Sequence, residues 1–138
     1  MISSDRQWFK QEAASAEALA KLKKAAGVEL PAEYIELLAY SNGGEGPLSV
    51  SPFTLCLDSV ESAISYKESK TYTKFFPGFF VFGSNGGGSL LAFDLRGSIP
   101  WPVVAIDDTN IDLDESVGFV ADDFCSFLAY VGVHSESA

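Results

Sequence analysis

Three stretches of the sequence carry residue types at spacings that chemistry uses. GSNGGGS, Gly83 to Ser89, has the glycine density of a phosphate-binding loop. DDTNIDLDES, Asp107 to Ser116, alternates oxygen ligands at Asp108, Asn110, Asp112 and Asp114, as the start of a calcium loop does. SNGGEG, Ser41 to Gly46, closes an apolar-periodic segment and sets Glu45 directly behind two glycines. None completes its motif. GSNGGGS matches neither G-x-x-x-x-G-K-[ST] nor G-x-G-x-x-G, and it joins two apolar runs instead of leading a strand into a helix N-terminus. It reads as a hairpin turn, with Gly86, Gly87 and Gly88 supplying positive φ at several positions. In the acidic stretch the sharp-turn glycine is replaced by Leu113, and the twelfth position counted from Asp108 is Phe119 where a bidentate Glu is needed.

Nucleophilic chemistry has less behind it. The one histidine, His134, lies four residues from the last, so Ser-His and Cys-His pairs lack a positioned base. Cys56 and Cys125 sit in the apolar runs FTLCL and FCSFLAY, read as small buried hydrophobes, and neither has a CxxC neighbour. Asp94 with Asp107 is a carboxylate pair of the kind used in acid-base work, but any acidic chain offers such pairs. The expectation is a protein with no catalytic residues, no cofactor and no metal, in which Asn42, Gly43 and Gly44, like the hairpin glycines, are structural turns.

The elements that position these residues follow from periodicity. At 138 residues the chain suits one domain that buries about 68–70% of its unfolded surface. Ala18, Leu19, Leu22, Ala25 and Ala26 recur at helical spacing within 14–26, and Gly27 stops that helix. Leu30-Pro31 opens a second helix with Pro at its first position, where Tyr34, Leu37, Leu38 and Ser41 share a face and Asn42, Gly43 and Gly44 cap the end. Leu48 to Val50 and Phe53 to Leu57 read as short strands, with Pro52 at a kink or edge. Asp58 and Glu61 have capping-box spacing and open a third helix through about Lys67. Phe79 to Phe82, Leu90 to Leu95, Val103 to Ile106 and Val117 to Val120 read as further strands, and Asp122 or Asp123 caps a final helix. Helices, then mostly antiparallel strands, then a closing helix define an α+β fold with a twisted sheet of about five to six strands. The domain spans 1–138 with its core at about 14–131, leaving the first dozen residues and the tail from His134 loosely attached.

Charge is distributed unevenly. Residues 1–74 carry eight of the nine basic groups against ten acids, whereas residues 75–138 carry Arg96 against nine acids, so a net −2 faces a net −8. Such a field repels nucleic-acid phosphates and anionic lipid and steers a basic partner. The MISSDRQWFKQ start lacks an apolar core behind a basic head, and no run approaches the ~20 apolar residues that span a bilayer. No membrane and a cytoplasmic location are expected. Phe75, Phe76, Phe79 and Phe80 around Pro77 either enter the core or form a patch that pairs two copies, so the chain is a monomer or a weak homodimer.

One longer pattern remains. LKKAAGVELPAEYIELLAYSNGGEG, residues 22–46, followed by FFVFGSNGGGSLLAFDLR, PVVAIDD and DDFCSFLAYV, resembles the SUKH superfamily, the Smi/Knr cell-wall-regulator family, over about 14–131. Ser89 departs from it, standing where members often carry an acid. The resemblance implies a non-enzymatic α+β domain, used in bacteria mostly as an immunity protein that binds and occludes a toxin, often a basic nuclease domain. On that reading the partner-facing residues are Asp107, Asp108, Asp112, Asp114 and Glu115, with Trp101 as an aromatic anchor beside them and Glu45 as a further contact or a solvated loop carboxylate. A regulatory interaction domain without a toxin partner is the first alternative. A small-ligand or calcium module using the glycine hairpin and the acidic stretch is the second.

Overall fold

The structure, a computed structural model, describes residues 6–69, 78–107 and 116–134. Seven strands form one sheet in chain order: β1 (Phe9–Lys10), β2 (Gly44–Pro47), β3 (Thr54–Leu57), β4 (Phe79–Ser84), β5 (Ser89–Asp94), β6 (Val103–Asp107) and β7 (Val117–Ala121). Every neighbouring pair is antiparallel. Four helices accompany it among the described residues: α1 (Ala16–Ala26), α2 (Ala32–Tyr40), α3 (Val60–Glu68) and α4 (Phe124–Leu128). The α+β class is as expected, and the sheet has seven strands where five to six were anticipated.

Local chemistry sets the helix limits. The Ser15 side chain accepts the Ala18 N–H at 3.1 Å, and Gly27 ends α1 at φ 70, a left-handed conformation that costs a residue with a Cβ. Pro31 is the N-cap of α2, one place ahead of the expected position. Asp58 does not cap α3; Ser59 does, accepting the Ser62 N–H at 3.1 Å. Between Asp122 and Asp123 the structure selects Asp123, whose Oδ1 accepts from Ser126 at 2.7 Å.

The core lies between the helices and one face of the sheet. Leu22 of α1, Tyr34, Leu37 and Leu38 of α2, Phe80 and Phe82 of β4, Phe93 of β5 and Phe124 and Phe127 of α4 are all essentially without solvent exposure. The Tyr34 ring is the hub, with centroids of Phe93, Phe124, Phe82 and Phe80 at 5.3, 5.7, 5.8 and 6.2 Å. Each such side chain contributes roughly 1.5–3 kcal/mol by burial. On the opposite face Phe79, Val81, Leu90, Ala92, Val104 and Ile106 form a second, smaller cluster. Being buried on both faces, the central strands read as unbroken apolar runs. Phe79 and Phe80 therefore belong to the core; Phe75 and Phe76 lie outside the described residues.

Residues 6–12 depart from the expectation of a loose end. Arg6 donates from Nη1 to the carbonyls of Leu128 and Val131 at 2.6 and 3.1 Å, tying this segment to the end of α4 and the turn after it. The Gln7 N–H bonds Gly132 O at 2.9 Å, Phe9 pairs with Glu45, and Asn42 N–H bonds Glu12 O at 2.7 Å. This strap closes on glycine. A Cβ on Gly44 would stand 2.6 Å from Phe9 O, and one on Gly46 would stand 2.5 Å from Gln7 O and 2.9 Å from the Trp8 ring. β2 thus occupies 44–47, ahead of the Leu48 to Val50 strand anticipated, and 48 makes only an isolated bridge to Val131.

Two substitutions test this packing. Gly46→Ala should lower stability by about 1–3 kcal/mol, the range for forced overpacking, and speed amide exchange in β1 ahead of the central strands. The Tyr34 hydroxyl is buried with no hydrogen-bond partner among the described residues. Tyr34→Phe should therefore be neutral or stabilising by up to about 1 kcal/mol in chemical denaturation, and a clear loss of stability would reveal a partner for that hydroxyl.

Candidate functional site

The β5–β6 connection and the α1–α2 loop meet at one end of the sheet. There the Trp101 Nε1–H donates to Glu29 O at 3.3 Å, pinning the indole across the two loops. The result is an open cleft of about 320 Å³, walled by Leu30, Pro31, Ile99, Pro100 and Trp101 and edged by Glu29 and Glu33. A second hollow of about 500 Å³ shares Glu29, Leu30 and Ala32 and continues to Ile35 and Glu36. Ile99 is 57% exposed, which is unusual for a side chain of its size on a loop. Sequence reasoning found Trp101 and missed the rest. Only the exposed Ile99 before the Pro-Trp-Pro turn and the short GVELP loop could have signalled it, because which loops meet is decided by the fold.

The expected site residues do not all gather. Trp101 precedes β6 and Asp107 ends it, so they stand apart by the length of that strand, about 17 Å. Trp101 and Asp107 are thus at opposite ends of β6. Asp107 is exposed and pairs in register with Ser89 at the glycine-hairpin end of the sheet. Asp108, Asp112, Asp114 and Glu115 lie outside the described residues, as does most of the stretch offered as a calcium loop. Among the described residues no group of three or more metal-ligating side chains comes together. Asp94 does not pair with Asp107 either: it sits at the far end of β5, again about 17 Å away. Arg96 grips it in a bidentate pair, Nε to Oδ1 and NH2 to Oδ2, both at 3.0 Å, and these bonds hold the Asp94 carboxyl below its ordinary range.

Asn42, Gly43 and Gly44 do not cap the end of α2. The helix ends at Tyr40 with Ser41 extended. Asn42 Oδ1 accepts the Val60 N–H at 2.7 Å, so this residue caps the start of α3 from 18 positions away, and its Nδ2 reaches the Glu61 carboxylate at 3.3 Å. Gly43 and Gly44 adopt φ of 102 and 111 to bring the chain from this latch into β2. In the β4–β5 hairpin only Gly86 has positive φ; Gly87 and Gly88 do not. Asn85 Oδ1 accepts the N–H groups of Gly87 and Ser89 at 2.9 and 3.1 Å, so amides that a phosphate would require are already bonded.

Glu45 is exposed on β2 directly opposite Cys56, whose Sγ lies 3.8 Å from its carboxylate. Burial, reinforced by the Glu45 charge, pushes the Cys56 thiol up, which leaves it a poor nucleophile. The cysteines are not both buried as expected: Cys56 is half-buried and Cys125 is exposed on α4. His134 faces the neutral amide oxygen of Gln7. Burial raises the carboxyl of Asp58 from 3.8 to about 6, and the Asp58 charge adds to the burial that raises the Tyr34 hydroxyl.

An antiparallel sheet with one helical face, a latch of Asn and Gly, and a surface of carboxylates and apolar loops defines an α+β domain whose accessible chemistry is charge and apolar area. The family model described as SMI1 / KNR4 family (SUKH-1) matches residues 13–130, and the chain belongs to that family. The family is known for SMI1/KNR4 and immunity-protein-like domains that are generally non-enzymatic. Comparison with individual curated proteins found no match. No helix among the described residues is long and apolar enough to cross a membrane.

The raised Asp58 carboxyl has a definite consequence for stability. Unfolded, Asp58 ionises near 3.8; folded, near 6. Folding therefore opposes its ionisation, and stability is lost as pH rises from about 4 to 6. Asp58→Asn removes that cost: it should match the parent below pH 4 and exceed it by about 3 kcal/mol at pH 7. Urea unfolding of both proteins across this range is the check, and parallel curves would remove Asp58 from the account.

Proposed function

We propose that the protein is a binding protein of the immunity type, which neutralises a cognate toxin by covering the toxin's working surface. Family membership supports the class. The observation that carries the rest is the fate of Arg96, the single basic group of residues 75–138. Its guanidinium, about half exposed, is bound to Asp94 of the same chain and set 4.7 Å from the Phe79 ring centre. Nine acids in this half face that one basic group, and Asp122 is among those exposed.

A surface of this kind attracts a basic protein domain, as toxins that act on nucleic acid require, and repels nucleic acid itself. Charge steering raises the association rate, and close pairs formed on docking slow dissociation. Asp107, Asp108, Asp112, Asp114 and Glu115 are the proposed electrostatic contact, and Glu45 lies four strands away, on β2 of the same sheet.

In cells that produce the cognate toxin domain, expressing the protein should restore growth, while D107K/D112K/D114K should not. The purified variant should bind that domain at least tenfold more weakly, mainly through slower association. Full protection by the variant would take the acidic stretch out of the interface, and failure of the parent protein to protect would overturn the function.

A further inference from the structure

We infer that the Trp101 cleft is a second docking site, and that it takes a basic segment of the protein partner in which an arginine or lysine stands beside an aliphatic residue. The inference rests on the proposed function for the partner's being a basic protein. It adds a site at the end of β6 opposite to Asp107, so a partner meeting both would cover the length of the sheet.

The shape and lining of the cleft select this occupant. A volume of about 320 Å³ is at the small end for a bound ligand, suited to one or two side chains and too small for a folded element. Ile99, Pro100, Leu30 and Pro31 give it an apolar wall, and the pinned Trp101 indole is the best of the aromatic partners for a cation. Around that wall stand Glu29 and Glu33, with Glu36 on the adjoining hollow and Lys23 the one basic residue lining it. A purely apolar occupant would strip water from those carboxylates without replacing it. An acidic one would meet the like charges of Glu29 and Glu33. A long basic side chain satisfies both parts of the site, its methylenes lying on the apolar wall and its head reaching the rim. The site is also preformed, because the Trp101 to Glu29 hydrogen bond holds the two loops together before anything binds, so little ordering is lost on docking.

The test uses the full chain, labelled with nitrogen-15, and the peptide acetyl-Leu-Arg-Leu-Arg-Leu-amide, with the Glu-for-Arg peptide as control. The indole N–H resonance of Trp101 should shift saturably with the arginine peptide and not with the control, while that of Trp8 stays in place. E29K/E33K should weaken the binding at least tenfold, and I99S severalfold, with circular dichroism confirming that both variants are folded. Raising the salt should weaken the parent protein's binding. A still Trp101 resonance, or equal binding by E29K/E33K, would overturn the site. The two proposals fail separately: a chain that binds the peptide at Trp101 but protects no toxin-producing cell loses the function and keeps the cleft, whereas undiminished protection by E29K/E33K and I99S removes the cleft from the interface.

Discussion

The Tyr34 ring pack is the contact on which the other elements depend. One aromatic side chain from α2 touches β4, β5 and α4 at once, through Phe80, Phe82, Phe93 and Phe124. Edge-to-face rings fix distance and angle more sharply than aliphatic packing does. With α2 set in this way, the loop before it, carrying Glu29 and Leu30, is brought against Trp101, and the segment after it, Ser41 to Gly44, is brought against both the N-terminal strap and α3. The tyrosine keeps a buried hydroxyl close to Asp58, a charge that itself resists burial. The packing of the ring outweighs that local cost, since burial and ring contacts together exceed the penalty of one unpaired hydroxyl.

Around this hub the Ser-Asn-Gly-Gly segment acts as a junction. The buried Ser41 hydroxyl donates to Gly43 O and accepts from Trp8 Nε1 and Gln11 N, while Asn42 caps α3 and bonds Glu12 through its backbone. The strap, the second helix, the sheet and the third helix therefore share a few bonds at one place. Glycine is required there for two separate reasons: positive φ at Gly43 and Gly44, and bare backbone beneath the Trp8 ring at Gly44 and Gly46.

The proposed binding features occupy the periphery of this frame, where specificity can vary without disturbing the core. Two chemistries are placed at opposite ends of β6: a carboxylate at Asp107 and an apolar cleft with its own acidic rim at Trp101. On the proposed function both would suit a cationic protein partner, one by long-range attraction and the other by close fit, and the loops that form the cleft are already joined by the Trp101 to Glu29 hydrogen bond.

Much was legible in the sequence. The amphipathic spacing of α1 and α2, the doubly buried runs of β4 to β6, the β4–β5 hairpin and the family pattern all follow from interactions between residues near in the chain, and so does the charge asymmetry, which is a matter of composition. What local pattern could not fix was any feature made by distant residues meeting. Arg6 closing α4, Asn42 capping α3, Ser59 displacing Asp58 as a cap, and glycines accommodating Trp8 all depend on which segments the core brings together. The same holds for the cleft: Trp101 was visible as a residue, but Glu29, Pro31 and Ile99 become its neighbours only once the α1–α2 loop is seated, and sequence distance carries no information about that. Sequence determined the elements, the fold class and the sign of the surface; tertiary packing alone decided which loops share an end of the sheet.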